Sequence, residues 1–289
     1  MSFTSGYVRA AGHELHYTDW GRDERGTVLA WHGLARTGRD MDELAEWLSQ
    51  QGWRVICPDT IGRGLSQWSS QPAEHYQLAF YARLARELLD ALSVRAVHWV
   101  GTSMGGAIGM RCAAGRCEPG MANRLLSLVL NDNAPELAQP AVDRIKAYAG
   151  QPPAFATVTE LEGFLRQAYQ PFGWLSDAQW RRLTETSVRR LPDGRVTPHY
   201  DPAIVQQFVH HPQDYWLWDD YDALQLPVLM LRGAHSDLVL PETVQRMRQR
   251  GPGARGQLRT IEVPGCGHAP ALNVRQQLEW VSEFLDKVC

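Results

Sequence analysis

The sequence predicts an α/β protein in which a mostly parallel sheet carries helices on both faces. Apolar runs rich in Val, Ile, Leu and Trp recur along the chain, with amphipathic stretches between them. This alternation is typical of parallel strands covered by helices. The 289 residues are 44% hydrophobic and 21% charged, which is enough apolar mass for one large core.

Predicted strands and helices alternate from residue 27 onward. Short runs rich in apolar residues predict strands at 27–31, 54–57, 96–101, 125–130, 227–231 and 258–263. Apolar residues spaced three and four apart, or small residues after a strand, predict helices at 39–50, 77–92, 104–114, 241–250 and 274–288.

The interval from about 134 to 212 does not follow this alternation. Helix starts are predicted at Thr159 and Ser176, each followed three residues later by Glu or Gln, and at Asp201 before a proline. Asp193 and Gly194 predict a hairpin turn. This stretch contains no convincing parallel strand, so we expect an inserted piece that is mainly helical.

Two regions of the chain are therefore expected. Residues 1–133 and 213–289 form the core domain, and residues 134–212 form a helical cap. Insertions between sheet elements of α/β folds lie over the carboxyl edge of the strands, where ligands bind. The inserted segment is accordingly predicted to be a lid.

Charge and hydropathy exclude several classes of partner. Lys and Arg number 29 against 32 Asp and Glu, a net charge of -3 without long runs of one sign, so no nucleic-acid partner is expected. The longest apolar runs are far shorter than the roughly 18 residues that a membrane helix needs. The amino-terminal residues lack a basic region followed by an apolar one, so we expect a cytoplasmic protein.

No metal or cofactor is expected from the sequence. The five cysteines are spread without a C-x-x-C pair, which favours free thiols over disulfides or a zinc site. His13 and His16 lie in an alternating stretch with no further Cys or His nearby, and we interpret them as surface residues of a strand.

Gly-Thr-Ser-Met-Gly at 101–105 provides the candidate nucleophile, Ser103. The pentapeptide falls between a buried apolar strand and a helix of small residues. A tight strand-to-helix turn exposes the serine hydroxyl, and glycines on either side remove side chains that would collide. Because a serine hydroxyl is a weak nucleophile, it requires a base that is held by an acid.

A base and two candidate acids follow downstream. His268 comes after the last predicted strand, and Asp237 comes after the strand before it. Asp132 also follows a buried strand and is the alternative acid. We predict a triad of Ser103, Asp237 and His268, because Asp237 lies on the strand just before the histidine loop.

Trp-His-Gly-Leu at 31–34 follows the first clear core strand. A tetrahedral oxyanion needs two donors aimed at one point, and we predict that these are the backbone amides of Leu34 and Met104. His32 is interpreted as a residue that stabilises the turn, since a triad needs only one base.

Five motifs together resemble the α/β-hydrolase superfamily. They are H-G-L at 32–34, P-D-T-I-G-R-G-L-S at 58–66, G-T-S-M-G-G at 101–106, R-G-A-H-S-D at 232–237 and G-C-G-H at 265–268. The resemblance implies an α/β-hydrolase fold with a cap and a serine nucleophile. It also implies the order nucleophile, acid, histidine along the chain.

The sequence therefore predicts a serine esterase that hydrolyses small to medium carboxylic esters through an acyl-enzyme. The residues expected to line an apolar substrate pocket are Trp31, Leu34, Met104, Trp174 and Trp216. Alternatives are a lactone or C-C bond hydrolase with the same triad, and a ligand receptor with little turnover. Thr102 replaces the asparagine usual in C-C bond hydrolases and weakens that alternative.

Overall fold

The computed structural model describes residues 3–288, and an eight-stranded sheet runs through its centre. The strands are β1 (Phe3–Ala10), β2 (His13–Trp20), β3 (Thr27–Trp31), β4 (Arg54–Pro58), β5 (Val97–Thr102), β6 (Leu125–Asn131), β7 (Val188–Arg190), β8 (Val196–Pro198), β9 (Val228–Gly233) and β10 (Leu258–Val263). The sheet order is β1-β2-β4-β3-β5-β6-β9-β10, and β7 pairs with β8 in a separate hairpin. All pairings from β4 to β10 in the large sheet are parallel, which confirms the predicted fold class.

Helices connect the parallel strands and form the outer layers. They are α1 (Asp42–Ser49), α2 (Pro72–His75), α3 (Leu78–Ala91), α4 (Met104–Ala114), α5 (Gln139–Ala149), α6 (Val158–Ala168), α7 (Asp177–Glu185), α8 (Gln206–His210), α9 (Trp218–Ala223), α10 (Pro241–Gln249), α11 (Gly251–Ala254) and α12 (Arg275–Val288). The predicted helices of the core agree with α1, α3, α4, α10 and α12 to within a few residues.

Successive residues of the central strands contribute to two different hydrophobic cores. In β3, Leu29 and Trp31 pack into the core that contains α3 and α4, whereas Val28 and Ala30 pack into the core that contains α1 and α12. All five residues of β3 are buried. Because side chains alternate across a strand, a run buried throughout requires cover on both faces of the sheet.

The amino-terminal hairpin is the part of the sheet that the sequence predicted least well. β1 and β2 pair antiparallel and extend the sheet beyond β4. His13 and His16 lie on β2 but are buried, so the interpretation of them as surface residues is wrong. The Nδ1 atom of His16 lies 2.8 Å from the Asp59 carboxylate, an ionic partner that is remote in sequence.

The segment between β6 and β9 contains α5 to α9 and the β7-β8 hairpin. The Asp193-Gly194 turn joins the two strands as expected, and Ser176 forms a complete capping box with Gln179. The predicted start at Thr159 is wrong by two residues. Thr157 is the N-cap of α6, and its hydroxyl accepts a hydrogen bond from the Glu160 amide at 3.2 Å. The division into a core and a cap at residues 134–212 remains a prediction.

Two further predictions concern thiols and membranes. Cys57, Cys112, Cys117 and Cys266 are free, while Cys289 lies outside the described residues. Within residues 3–288, none of the helices combines the length and apolar character that crossing a bilayer requires.

Two buried histidines make the stability of this fold sensitive to acid. Burial lowers the pKa of His32 and of His98 to about 4. The unfolded chain therefore binds more protons than the folded chain between about pH 6.5 and 4, so stability is lost as the pH falls through this window. We expect the free energy of unfolding in urea to be lower at pH 5.5 than at pH 8 by about 1 kcal/mol for each histidine. His98→Asn should reduce this difference by about half, and an unfolding free energy that does not change between the two pH values would contradict the assignment.

Candidate active site

Ser103 lies in the turn between β5 and α4 with φ 52° and ψ -118°. This is the left-handed region, which is strained for a residue with a side chain. The turn is held by backbone hydrogen bonds. The Ser103 amide donates to the carbonyl of Asn131 at 2.9 Å, and the Ser103 carbonyl accepts from the Gly106 amide at 2.8 Å. The strain is thereby maintained by the surrounding backbone, and Ser103 faces a cavity.

The glycines around Ser103 allow the turn to pack closely. A Cβ atom on Gly101 would collide with the backbone of Gly105, and one on Gly105 would collide with the carbonyl of Trp31 on β3. Since backbone atoms cannot move aside as a flexible side chain can, α4 reaches this position only with glycine there.

His268 lies on the loop after β10, beside Ser103. Its Nε2 atom is 2.9 Å from Ser103 Oγ, and its Nδ1 atom is 2.6 Å from Asp132 Oδ2. Three groups from loops after three different strands thus form one hydrogen-bonded chain. A nucleophile, a base and an acid must be arranged in this way for the base to take the proton of the nucleophile.

The choice of Asp237 as the partner of His268 is wrong. Asp132, the alternative acid, occupies that position with its side chain fully buried. Its Oδ1 atom also accepts from the Gly233 amide at 2.9 Å, and its Oδ2 atom accepts from Ser236 Oγ at 2.7 Å. In the Ser236-Asp237 pair, the serine side chain points toward Asp132 and the aspartate side chain points away from it.

Asp237 lines the cavity but bonds to Arg144 of α5. Arg144 Nη2 donates to Asp237 Oδ1 at 3.1 Å, and Nη1 donates to Oδ2. Partial burial raises the pKa of Asp237, but the hydrogen bonds and charge of Arg144 outweigh it and hold the pKa below its usual value. The charge of His268 acts in the same direction, because it lies nearby.

The loop after β3 lies against the nucleophile turn. His32 is buried there, with its Nε2 accepting from the Thr60 amide at 2.9 Å and its Nδ1 donating to the Gly33 carbonyl at 2.6 Å. A neutral His32 makes both bonds, which agrees with its lowered pKa and with the predicted role in the turn. Leu34 follows and lines the cavity. Met104 is the first residue of α4, where a backbone N-H has no acceptor within the helix.

The cavity has a volume of about 620 Å³ and extends from Ser103 and His268 into the segment between β6 and β9. Its aromatic walls come from that segment and are Tyr148, Phe164, Tyr169, Phe172 and Tyr200. None of the five was predicted. They lie on short helices and turns whose inward face the sequence pattern does not reveal.

Most of the residues predicted to line the pocket lie elsewhere. Leu34 is a wall of the cavity, but Trp31 is fully buried in the core, where its ring stacks on Trp99 at 5.2 Å between centroids. The Met104 side chain is also buried, with its sulfur 3.5 Å from an Arg63 nitrogen. Trp174 and Trp216 are 69% and 57% exposed and do not contribute to the cavity walls.

Backbone hydrogen bonds join the histidine loop to the segment above it. The Gly267 amide donates to the Pro171 carbonyl at 2.7 Å, and the Ala271 amide donates to the Phe172 carbonyl at 3.1 Å. His268 is therefore flanked on both sides by residues bonded to this stretch. Buried Cys266 lies beside it, and its Sγ is 3.5 Å from the same Phe172 carbonyl.

The fold agrees with what comparison with known proteins shows. The chain belongs to the alpha/beta hydrolase fold family, which it matches over residues 26–273. It is 38% identical to the 3-hydroxybutyrate-oligomer hydrolase of Cupriavidus necator, over 98% of this chain and 97% of that protein.

Solved structures of hydrolases superpose over nearly the whole chain. An alpha/beta hydrolase from Novosphingobium aromaticivorans is 30% identical with a TM-score of 0.84, covering 99% of this chain and 98% of the other. A hydrolase from Rickettsia typhi is 25% identical with a TM-score of 0.86 and covers 99% of both chains.

The close packing of the nucleophile turn leads to a stability prediction. Gly105→Ala should lower the free energy of unfolding by about 3 kcal/mol or more, because the added methyl group collides with the backbone of β3. Gly163→Ala is the matched control, since a Cβ there meets nothing within 4 Å, in the middle of exposed α6. The control should stabilise the protein by about 0.5 to 1 kcal/mol. Urea denaturation of both variants measures this, and equal stability of the two would refute the packing argument.

Proposed function

We propose that this protein is a serine hydrolase that cleaves carboxylic esters through an acyl-enzyme on Ser103. The observation that carries the proposal is the continuous hydrogen-bonded chain from buried Asp132 through His268 to Ser103. Its two distances, 2.6 and 2.9 Å, are within reach of direct proton transfer.

Each member of the chain has a distinct part in the proposed reaction. His268 Nε2 accepts the proton of Ser103 Oγ as the oxygen attacks the ester carbonyl, and it then gives that proton to the departing alcohol oxygen. Asp132 holds the ring with Nδ1 protonated and stabilises the imidazolium. The amides of Leu34 and Met104 are proposed to bind the oxyanion. Met104 follows Ser103 as the first residue of α4, and Leu34 follows Gly33, which packs near the Ser103 side chain. Water then releases the acid.

The buried carboxylate is preorganised for this role. Asp132 already accepts hydrogen bonds from the Gly233 amide and the Ser236 hydroxyl, so its orientation does not depend on His268 alone. Such fixed partners hold the carboxylate in place and avoid reorganisation during the reaction.

The proposed substrates are short oligoesters of 3-hydroxybutyrate or closely related hydroxy acids. Support comes from the relative of Cupriavidus necator, which matches nearly end to end and is named for such oligomers. A cavity of about 620 Å³ lies within the range of about 300–1,000 Å³ typical of sites for ligands of this size. Its walls include apolar residues such as Ile145 and Leu183 together with three tyrosines, a mixture that suits a chain of methyl groups and ester oxygens.

The segment at 134–212 is proposed to be the cap that selects the substrate. It supplies all five aromatic walls of the cavity, whereas Ser103, His268 and Asp132 lie outside it. Chemistry and substrate selection would thus be divided between the two parts of the chain.

The two acids can be separated by substitution. Asp132→Asn should lower kcat by up to about 10⁴ with little change in KM, because the imidazolium loses its stabilising charge. Asp237→Asn should have an effect at least a hundredfold smaller on a neutral chromogenic ester. Thermal unfolding of both variants must accompany the kinetics, since Asp132 also bonds to Gly233 and Ser236. An active, folded Asp132→Asn variant would remove Asp132 from the mechanism.

The substrate class can be tested with purified oligomers. We expect dimers and trimers of 3-hydroxybutyrate to be converted to monomer with kcat/KM at least tenfold above that for simple alkyl acetates, because the oligomers contact more of the cavity wall. Ser103→Ala is the matched control and should reduce turnover by several orders of magnitude. Chromatographic product analysis measures the conversion. Equal rates for oligomers and acetates would contradict the proposed substrate.

A further inference from the structure

Four arginines line the cavity, and three of them pair with carboxylates that are less exposed than Asp237, the partner of the fourth. Arg36 makes two hydrogen bonds of 2.7 Å to Asp40, with its side chain only 6% exposed. The other two ion pairs are Arg39 with Asp42 and Arg182 with Glu43. If a ligand took the place of one of these acids, the acid would remain partly or fully buried without a partner, which costs free energy.

Arg144 is the exception. Its partner Asp237 is 53% exposed and Arg144 itself is 54% exposed, so water can solvate the acid if the pair separates. Ion pairs this exposed contribute only about 0 to 1 kcal/mol. Arg144 is therefore the cationic group of the cavity that can most easily take a new anionic partner.

The Arg144–Asp237 pair lines the same cavity as His268, which protonates the leaving alcohol in the proposed reaction. Ser236, the residue before Asp237, bonds to the same Asp132 oxygen as His268, so the pair lies near that histidine. In an oligoester of a 3-hydroxy acid, the terminal leaving group is itself a hydroxy acid. Its free carboxylate lies only three bonds beyond the oxygen that receives the proton.

We infer that Arg144 binds the free carboxylate of an anionic oligoester. This carboxylate takes the place of Asp237 as the partner of Arg144 when the substrate enters. This inference rests on the proposed ester hydrolysis and adds which ester bond is chosen. Tyr148 lies one turn further along α5 and lines the same cavity. Tyr148 is about half exposed, and its hydroxyl is available as a second hydrogen-bond donor to the same anion.

The bond cleaved is then the ester next to the carboxyl end. Ser103 Oγ bonds to the carbonyl carbon, the bond from that carbon to the alcohol oxygen breaks, and the proton taken from Ser103 passes through His268 to this oxygen. One hydroxy acid leaves with its carboxylate on Arg144, and water hydrolyses the remaining acyl-enzyme. Oligomers are thus shortened by one unit at a time from this end.

The test compares the 3-hydroxybutyrate dimer with its methyl ester, in which a neutral group replaces the terminal carboxylate, and follows cleavage of the ester that joins the two hydroxybutyrate units. We expect the wild type to prefer the free acid, and Arg144→Gln to lower kcat/KM for the acid at least about tenfold more than for the methyl ester, as expected for the loss of a charge-assisted hydrogen bond. Asp237→Asn removes the competing carboxylate and should lower KM for the acid. Lys146→Gln is the matched control, because it removes the same charge from the same helix outside the cavity.

Several outcomes would overturn the inference. Equal losses for acid and methyl ester in Arg144→Gln, or an equal effect of Lys146→Gln, would show that Arg144 does not recognise the terminal charge. With a trimer labelled in its hydroxyl-terminal unit, initial release of labelled rather than unlabelled monomer would contradict the choice of bond.

A binding measurement keeps this inference separate from the proposed function. In the Ser103→Ala background, calorimetry should detect the dimer acid but much weaker binding of its methyl ester, and Arg144→Gln should abolish the difference. Selective binding without turnover by the wild type would refute ester hydrolysis and retain the carboxylate site. Turnover without selective binding would do the reverse.

Discussion

The buried carboxylate of Asp132 holds the candidate active site together. It accepts hydrogen bonds from His268, from the Ser236 hydroxyl and from the Gly233 amide, so it connects the ends of β6, β9 and β10 at one point. A charge buried this completely is tolerated only when such partners surround it. The positions of His268 and hence of its bond to Ser103 depend on this group.

The sequence predicted the regular elements well because their signal is local. Helix α4 and strand β10 begin and end where the residue pattern indicates, since apolar periodicity and the glycines at the turn act over a few residues. The β1-β2 hairpin has no comparable apolar run. It is stabilised by contacts with residues far along the chain, such as His16 with Asp59, which no local pattern shows.

The candidate site was predicted in part, because strand order can be read from the sequence but the direction of a single side chain cannot. The strand order brings the loops after β5, β6 and β10 together, and this follows from a parallel sheet. Which acid meets His268 depends instead on the direction of one side chain after a turn, where Ser236 points inward and Asp237 does not. The tryptophans show the same limit. Trp31 and Trp174 are both large and apolar, yet one is in the core and the other on the surface.

The backbone bonds from Gly267 and Ala271 to residues 171 and 172 tie the loop that carries His268 to the segment between β6 and β9. A displacement of this segment at residues 171 and 172 would move the His268 loop, and the hydrogen bonds from His268 to Ser103 and Asp132 would then break. Elsewhere in the same segment, α5 contacts Asp237 on the loop after β9 through the solvent-exposed pair with Arg144. A substrate that separates the Arg144 pair would free this contact of α5 and leave the bonds at residues 171 and 172 in place, so its binding would not displace His268.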